Sequence, residues 1–301
     1  MAATLALPPL AWTQPDSTTR LSVDFPAGGP ADAIARLLAR LMAEGASSFI
    51  VENKPGASSS SRPMRCASRA HAGAQLLVTP ASILTLVPHL YDKPMYQSLQ
   101  DFVTLGHVCD HSLALAVNGA SAIRTLADYI RAAQAQPEAA HFAPAGTGTG
   151  MHLLGTLFSR ETGVKLAHVP YRGTAPGPQD LMGGQIFSSF NPLPTMLELH
   201  RAGRIRIIAV SNPGRGASLP NVPTFTELDL PALELVEWYG VFASAFTKPQ
   251  VLEHLRAQLA EALARPERAT AAASWNWSLA RCMACRCARC WRPITNAWPG
   301  W

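Results

Sequence analysis

From Arg20 onward, hydrophobic and polar positions follow two patterns that alternate along the chain. Short apolar runs, typical of buried strands, are followed by segments whose apolar residues recur every three or four positions, as in helices. Strands are predicted at residues 21–25, 49–51, 76–78, 102–109, 113–117, 165–169, 186–190, 205–210 and 236–242, and helices at 34–42, 125–135, 151–158 and from 249. This alternation predicts an α/β fold with two parallel sheets, each covered by helices on both faces.

Two glycine-rich loops each lie between a predicted strand and a predicted helix. The first contains Gly28 and Gly29 with Asp32 near the helix start, and the second contains Thr147, Gly148 and Thr149. Exposed backbone N–H groups at helix N-termini bind anions, and the threonine hydroxyls add donors suited to a carboxylate. The second loop lacks the P-loop and dinucleotide-binding patterns, so nucleotide binding is not predicted. A plain tight turn is the alternative interpretation of the first loop.

Three further polar residues could face the same ligand. Ser82 could donate a hydroxyl to the cleft or cap a helix. Arg172 could hold a carboxylate through two parallel hydrogen bonds or latch two halves of the protein together, and His152 could bind ligand or be structural. Neither a Gly-x-Ser-x-Gly nor a His-Glu-x-x-His pattern is present, so the sequence does not demand an enzyme.

Composition and charge change this picture only at the end of the chain. The 301 residues, 48% of them hydrophobic, are enough for two domains. The chain has 25 Lys and Arg against 20 Asp and Glu, but residues 268–301 hold five arginines and no acidic residue, which leaves 20 of each in the remainder. Because no basic face is expected on a folded domain, nucleic acid is not predicted as a partner.

Residues 1–19 are interpreted as a residual signal or leader segment. Their apolar run resembles the hydrophobic region of a signal peptide but lacks the basic residues that should precede it. The run is too short and too interrupted by proline to cross a bilayer. Either the start codon is placed too late or the segment is a frayed terminus.

Residues 268–301 form an aberrant tail that holds four of the six cysteines and five of the seven tryptophans. The cysteines are Cys282, Cys285, Cys287 and Cys290. Four thiolates could hold zinc, but structural zinc sites usually separate two cysteine pairs by a longer loop, so no metal is predicted. A shifted reading frame explains the tail better, because suitable codons for residues 291–298 encode an amphipathic helix in another frame. The stretch 58–74, which has no acidic residue, contains a segment that suitable codons also turn into a helix-like sequence in another frame.

Six ordered motifs resemble the signatures of the Bug family, the TctC-like extracytoplasmic solute receptors of tripartite tricarboxylate transporters. They lie at residues 25–32 (FPAGGPAD), 51–57 (VENKPGA), 146–148 (GTG), 169–173 (VPYRG), 219–224 (LPNVPT) and 238–240 (WYG). The resemblance spans residues 21–267 apart from 58–74. It departs from the family at 71–74 and in the tail, where the family has C-terminal helices.

The resemblance implies a two-lobe periplasmic binding protein of type II, the Venus-flytrap fold, with a parallel-type sheet flanked by helices in each lobe. Such a receptor closes around a small carboxylate, with bound water, and docks on the membrane permease subunits. It implies no cofactor, no catalysis and a monomer. The lobes are expected at residues 20–117 with 235–267 and at 118–234.

The resemblance also implies which residues bind the solute. The first loop contributes Ala27, Gly28, Gly29 and Asp32, the second contributes Thr147, Gly148, Thr149 and His152, and the lining adds Ser82, Tyr171, Arg172 and Asn191. Asn191 departs from the family, in which Asp is frequent at this position, so ligand preference is expected to differ. The sequence does not specify which carboxylate is bound.

Three other interpretations stay open. A damaged, frame-shifted receptor would account for the two aberrant segments. A cytosolic effector-binding module could share the architecture, although the residues before the first strand are too few for a DNA-binding domain. A hydrolase or lyase would show turnover dependent on His152 or Asp32.

Overall fold

The computed structural model describes residues 18–43, 48–55, 75–90, 96–274 and 277–279. In chain order the elements are β1 (Thr18–Val23), α1 (Pro30–Met42), β2 (Ser48–Asn53), β3 (Gln75–Pro80), α2 (Ala81–Thr85), α3 (Ser98–Asp101), β4 (Phe102–Asn118), α4 (Leu126–Ala135), β5 (His141–Ala143), α5 (Gly150–Thr162), β6 (Ala167–His168), α6 (Pro176–Met182), β7 (Ser188–Pro192), α7 (Leu193–Arg201), β8 (Ile205–Val210), β9 (Val236–Ser244), α8 (Pro249–Ala264), α9 (Pro266–Ser274) and β10 (Ser278–Leu279). The predicted α/β fold is confirmed.

The strands form two sheets that share the long strand β4. The first has the order β2-β1-β3-β9-β4, and the second runs β4-β7-β5-β6 with β8 also paired to β4. Parallel pairs occur at the outer ends, between β1 and its two neighbours and between β5 and its two neighbours. The pairs made by β4 and β9 are antiparallel, so the sheets are mixed and the prediction of parallel sheets is wrong for these central strands.

Strand β4 changes partners part-way along its length. Residues 102–112 pair with β9, whereas residues 113–118 pair with β7 and β8. Sequence periodicity predicts two strands here, because Asp110, His111 and Ser112 interrupt the apolar run. In the structure His111 and Ser112 are buried within a continuous strand. The predicted lobe boundary at residue 118 is the end of β4, and the change of partner comes earlier, at Ser112–Leu113.

Ser211 joins the two places where the chain passes between the sheets. Its hydroxyl accepts a hydrogen bond of 2.9 Å from the Leu113 N–H and donates one of 2.5 Å to the Leu235 carbonyl. The backbone of Ser211 also bonds to both residues, at 2.9 Å in each case. The start of β9 and the switch point of β4 are therefore held side by side.

Each sheet is packed on both faces. Helices α1 and α8 cover one face of the first sheet, and α2 lies on the other with Leu77 and Phe242. Helices α4 and α5 cover one face of the second sheet around Phe142 and Phe190, while α6 and α7 cover the other. This is the covering on both faces that the sequence predicts.

Local signals in the sequence explain where the main helices begin. Pro30 starts α1, which suits the first position of a helix because proline lacks an N–H. Thr125 and Asp128 form a reciprocal capping box at α4. Thr149 caps α5, and Gly163 ends that helix in the left-handed conformation.

The described part of the predicted tail packs against the first sheet. Helix α9 extends to Ser274, and β10 pairs with β4. The buried Arg268 guanidinium donates to the Val108 carbonyl at 2.8 Å, and the Trp277 ring stacks on Tyr239 at a centroid distance of 6.1 Å. Residues 268–274 and 277–279 of the predicted aberrant tail are therefore part of the folded structure. The cysteines of the tail and the stretch 58–74 lie outside the described residues.

Gly155 on α5 gives a test of packing in the second sheet. A Cβ at this position would overlap the Phe142 ring, whereas a Cβ at Gly214 would meet nothing within 4 Å. We expect Gly155→Ala to lower the free energy of unfolding by about 1–3 kcal/mol, since overpacking outweighs the helix propensity gained. Gly214→Ala should change it by less than about 0.5 kcal/mol. Urea unfolding of both variants measures the difference, and equal stabilities would contradict this packing.

Candidate functional site

Four helices begin at one cavity of about 150 Å³. The lining residues come from the β1–α1 loop, the residue before α2, the second residue of α5, the loop entering α6, and β9. They are residues 25–27 and 29–31, Pro80, Met151, residues 172–176 and Tyr239. The first turn of a helix leaves backbone N–H groups without intrahelical partners and carries partial positive charge. The cavity is therefore suited to an anion.

The two sheets contribute to opposite sides of this cavity. The β1–α1 loop belongs to the first sheet, and residues 172–176 lead into α6 of the second. The sides approach closely, because a Cβ at Gly173 would lie 3.1 Å from Pro26 Cδ. Gly173 also has a φ of +92°, a conformation that favours glycine. The cavity lies between the two halves, which is where the sequence predicts a site.

The first glycine-rich loop is fixed by Asp32. Gly28, with a φ of +83°, donates its N–H to Asp32 Oδ2 at 2.9 Å, and Arg36 Nε donates to the same oxygen at 3.0 Å. Burial raises the pKa of the Asp32 carboxyl, but the bonds from Arg36, Gly28 and Asn53 outweigh it and leave the pKa below 3.8. Asp32 therefore orders the loop, while Ala27 and Gly29 line the cavity.

The second glycine-rich loop packs behind the cavity. Gly148, with a φ of +80°, lies against Val87 on the other half of the molecule. Thr149 donates its hydroxyl to the Gly146 carbonyl at 2.8 Å and accepts from the His152 N–H at 3.3 Å. Of this region, Met151 lines the cavity, and residues 147–149 and 152 do not.

The remaining predicted residues differ in their distance from the cavity wall. Arg172 lines it. The Tyr171 hydroxyl turns away and donates to Asp180 at 2.6 Å, and burial with this carboxylate raises the pKa of Tyr171 to about 12. Asn191 is buried, with Nδ2 donating to Ser189 at 2.6 Å.

His152 has a structural setting. The Gly148 N–H donates to its Nδ1 at 3.4 Å, and its ring lies over His168 at a centroid distance of 4.4 Å. Burial lowers the pKa of His152 below 6.5, so the ring is neutral at pH 7. This ring holds the second loop by accepting a backbone hydrogen bond.

Sequence reasoning missed a buried group next to the cavity. Glu237 on β9 is 4% exposed and lies opposite His111 on β4, with Ser82 and Gly150 facing its carboxyl group. Tyr239, two residues along the same strand, lines the cavity. The available signal was an acidic residue inside the apolar stretch 235–242, since an acidic side chain is rarely fully buried.

Among the described residues, metal-binding clusters and membrane-spanning helices are both absent. Within the described ranges, no group of three or more His, Cys, Asp or Glu side chains could hold a metal ion. No helix in that part of the chain is long and apolar enough to cross a membrane.

Comparison with known proteins decides the family. The family model described as "Tripartite tricarboxylate transporter family receptor", TctC, matches residues 34–277. The chain belongs to the TctC family. The predicted resemblance is confirmed, and with it the prediction of a solute-binding receptor. The matched range includes residues 268–277 of the predicted tail.

Individual members of the family show the same relationship. BugT of Bordetella pertussis (strain Tohama I) is 32% identical over 267 residues, which cover 87% of this chain and 81% of BugT. The structure of the periplasmic binding protein BugD superposes with a TM-score of 0.80 at 28% identity, covering 88% of this chain and 89% of BugD. MatC (Rpa3494) from Rhodopseudomonas palustris with bound malate gives a TM-score of 0.82 at 25% identity, covering 88% and 90%. The predicted two-lobe binding-protein fold is confirmed.

The role of Asp32 in ordering its loop can be tested by Asp32→Asn. Because the folded-state pKa is below the ordinary value, the ionised carboxyl stabilises the protein at pH 7, and this contribution is lost as pH falls through the folded-state pKa, below 3.8. We expect the variant to be less stable by about 1 kcal/mol at pH 7. The difference in stability between the variant and the unmodified chain should disappear in strong acid. Urea unfolding as a function of pH measures it.

Asp229→Asn is the matched control, since Asp229 is exposed and has a φ of 62° that asparagine tolerates. Its stability should match that of the unmodified chain. An equal loss in both variants would show that Asp32 has no special role.

Proposed function

We propose that this TctC-family receptor captures a small carboxylate in the cavity between its two halves. The observation that carries the proposal is the convergence of four helix N-termini on one cavity that Arg172 also lines. Helix N-termini and a guanidinium both present hydrogen-bond donors and positive charge, which suits an anion. The bound malate of MatC supports a carboxylate as this anion.

The shape of the cavity limits the size of the solute. Its wall is largely apolar, with Pro26, Pro80, Met151 and Tyr239 from both halves. An apolar wall excludes water and strengthens the hydrogen bonds made within it. We infer a small organic acid whose carboxylate meets the helix N-termini while its carbon chain contacts these side chains.

Closure of the two halves around the solute gives the receptor its capture step. The halves are joined where β4 changes partners and where β9 begins, and Ser211 bonds to both places. A rotation about these strands moves the first glycine-rich loop relative to residues 172–176 and opens the cavity to solvent. Because β4 changes partners at Ser112–Leu113, we propose that the lobes are residues 20–112 with 235–267 and residues 113–234.

The family also supports a location and a partner. We infer that the receptor works in the periplasm as a monomer, after removal of a leader within residues 1–19, and delivers its solute to membrane permease subunits. BugD, described as a periplasmic binding protein, supports the compartment. The solute is expected to leave the receptor chemically unchanged.

Thermal unfolding with malate, adipate and other small carboxylates tests capture. A bound acid at about 100 times its dissociation constant should add about 2.7 kcal/mol to the stability of the native state.

We expect Arg172→Gln to weaken binding about tenfold to a hundredfold, because a hydrogen bond to a charged group contributes about 1.5–3 kcal/mol.

The exposed Arg204 on the second half supplies the control variant, Arg204→Gln, which should bind like the unmodified chain. Equal weakening in both variants would point to a general effect of charge. Conversion of the acid to a product would contradict the receptor assignment, and a chain that unfolds without cooperativity would instead be a damaged receptor.

A further inference from the structure

The carboxyl group of Glu237 lies at the N-terminal end of α5. A Cβ on Gly150, the first residue of this 13-residue helix, would overlap the carboxyl group. The Glu237 side chain is 4% exposed and directed from β9 into the space between α5 and the start of α2. Glycine at position 150 is therefore what makes room for this carboxyl.

Both oxygens of this carboxyl are buried without a hydrogen bond of ordinary geometry among the described residues. The Ser82 hydroxyl and the backbone N–H groups of Ser82 and Gly150 face the carboxyl closely enough to stabilise its ionised form, but none of them is well aligned. A buried polar group without a partner is costly, so such a group in a native fold calls for a missing partner.

No permanent positive charge balances Glu237 within the described structure. Among the described residues, the one Lys, Arg or His side chain with a nitrogen within 4 Å of the carboxyl is His111, whose Nε2 lies 3.9 Å from Oε2. Burial lowers the pKa of His111 to about 4, so the imidazole is neutral at pH 7. Tyr239 faces the carboxyl from the same strand, and burial raises the pKa of its hydroxyl well above 10.

The cavity lies just beyond this group. Each residue around the carboxyl is one or two positions from a residue of the cavity wall: Gly150 precedes Met151, Ser82 follows Pro80, and Glu237 shares a strand face with Tyr239. The carboxyl thus lies behind the inner wall of a cavity that the helix N-termini prepare for an anion. A solute carboxylate and the Glu237 carboxyl would share one region of positive potential.

Two carboxyl groups that share a buried site do not both ionise, because their repulsion raises one pKa. Burial raises the pKa of Glu237 to about 7, although the facing donors of Ser82 and Gly150 lower it in part. The solute anion would raise it further. A neutral Glu237 is also the better partner, since its O–H can donate to the solute while its other oxygen faces the donors of Ser82 and Gly150.

We propose that Glu237 is a further solute-binding residue, a neutral carboxylic acid that donates a hydrogen bond to the solute carboxylate, so that the receptor takes up the anion together with one proton. The proton comes from solvent and stays on Glu237, and no covalent bond changes. This inference rests on the proposed function and adds a solute preference. The cavity favours solutes that have a hydrogen-bond acceptor next to Glu237.

Calorimetric titration with malate, in two buffers of different ionisation enthalpy between pH 6 and pH 8.5, tests this inference. Comparison of the buffers counts the protons taken up on binding. For the unmodified chain we expect close to one proton per malate at the alkaline end, and an affinity that falls about tenfold for each pH unit above about 7.

The variant Glu237→Gln keeps the shape and one donor but has no proton to exchange. It should bind malate with the same affinity across this pH range, close to that of the unmodified chain at pH 6, and take up no proton. Glu237→Ala lacks the donor and should bind more than about tenfold more weakly at pH 6. Glu261→Gln, on the exposed surface of α8, is the matched control and should behave like the unmodified chain.

Each contrary result identifies a different error. If the unmodified chain binds malate with no proton uptake and no pH dependence, Glu237 has only a structural role and the inference is overturned while the proposed function stands. Tighter binding by Glu237→Ala at pH 6 overturns it as well, because Glu237 would then occupy the place of the solute. If neither the unmodified chain nor the isosteric Glu237→Gln binds malate, adipate or any other small carboxylate of the thermal test at any pH, the proposed function and this inference both fail.

Discussion

The whole arrangement depends on a single strand shared by two sheets. Because β4 pairs with β9 over residues 102–112 and with β7 and β8 beyond them, each half contains part of this strand. Antiparallel pairing in the middle and parallel pairing outside follow from this sharing, since the chain must return through β9. The helices that follow the outer strands then direct their N-termini towards the gap between the sheets, and the cavity lies there.

An anion site built from helix ends explains how a chain whose residues 1–267 have equal numbers of basic and acidic side chains can bind acids. Among the described residues that line the cavity, Arg172 alone carries a full positive charge, Thr174 and Tyr239 are the other polar side chains, and the remainder is backbone and apolar side chain. Partial charges on fixed N–H groups cost no reorganisation when an anion arrives, and an apolar surround keeps water from screening them. The same surround makes the nearby acidic side chain of Glu237 hard to ionise, so the properties that favour a bound anion also favour a bound proton.

The sequence predicts much of the fold because its signals are local. Apolar periodicity identifies the main helices, as for α1 and α5, and the predicted glycine-rich loop contributes Gly29 to the cavity wall. The prediction of cavity-lining residues fails where contacts between residues distant in sequence determine the position of a loop. Gly148 packs against Val87 from the other half, so the second loop supports the cavity without lining it.

Glu237 could not be placed from sequence for a related reason. A strand pattern identifies two faces but does not say which one meets a distant cavity, and only the pairing of β9 with β4 brings Glu237 beside His111 and α5. Strand β4 itself was divided in the prediction because its polar residues look like a turn until their burial is known.

The contact between Gly150 and Glu237 limits the order in which this site can change during evolution. Any larger residue at position 150 collides with the carboxyl, whereas a smaller residue at position 237 leaves space that a later side chain at 150 could fill. Substitution at 237 must therefore come first, and until it does, position 150 admits glycine alone. Lineages that carry the acid are expected to carry the glycine, while lineages without the acid are free at both positions.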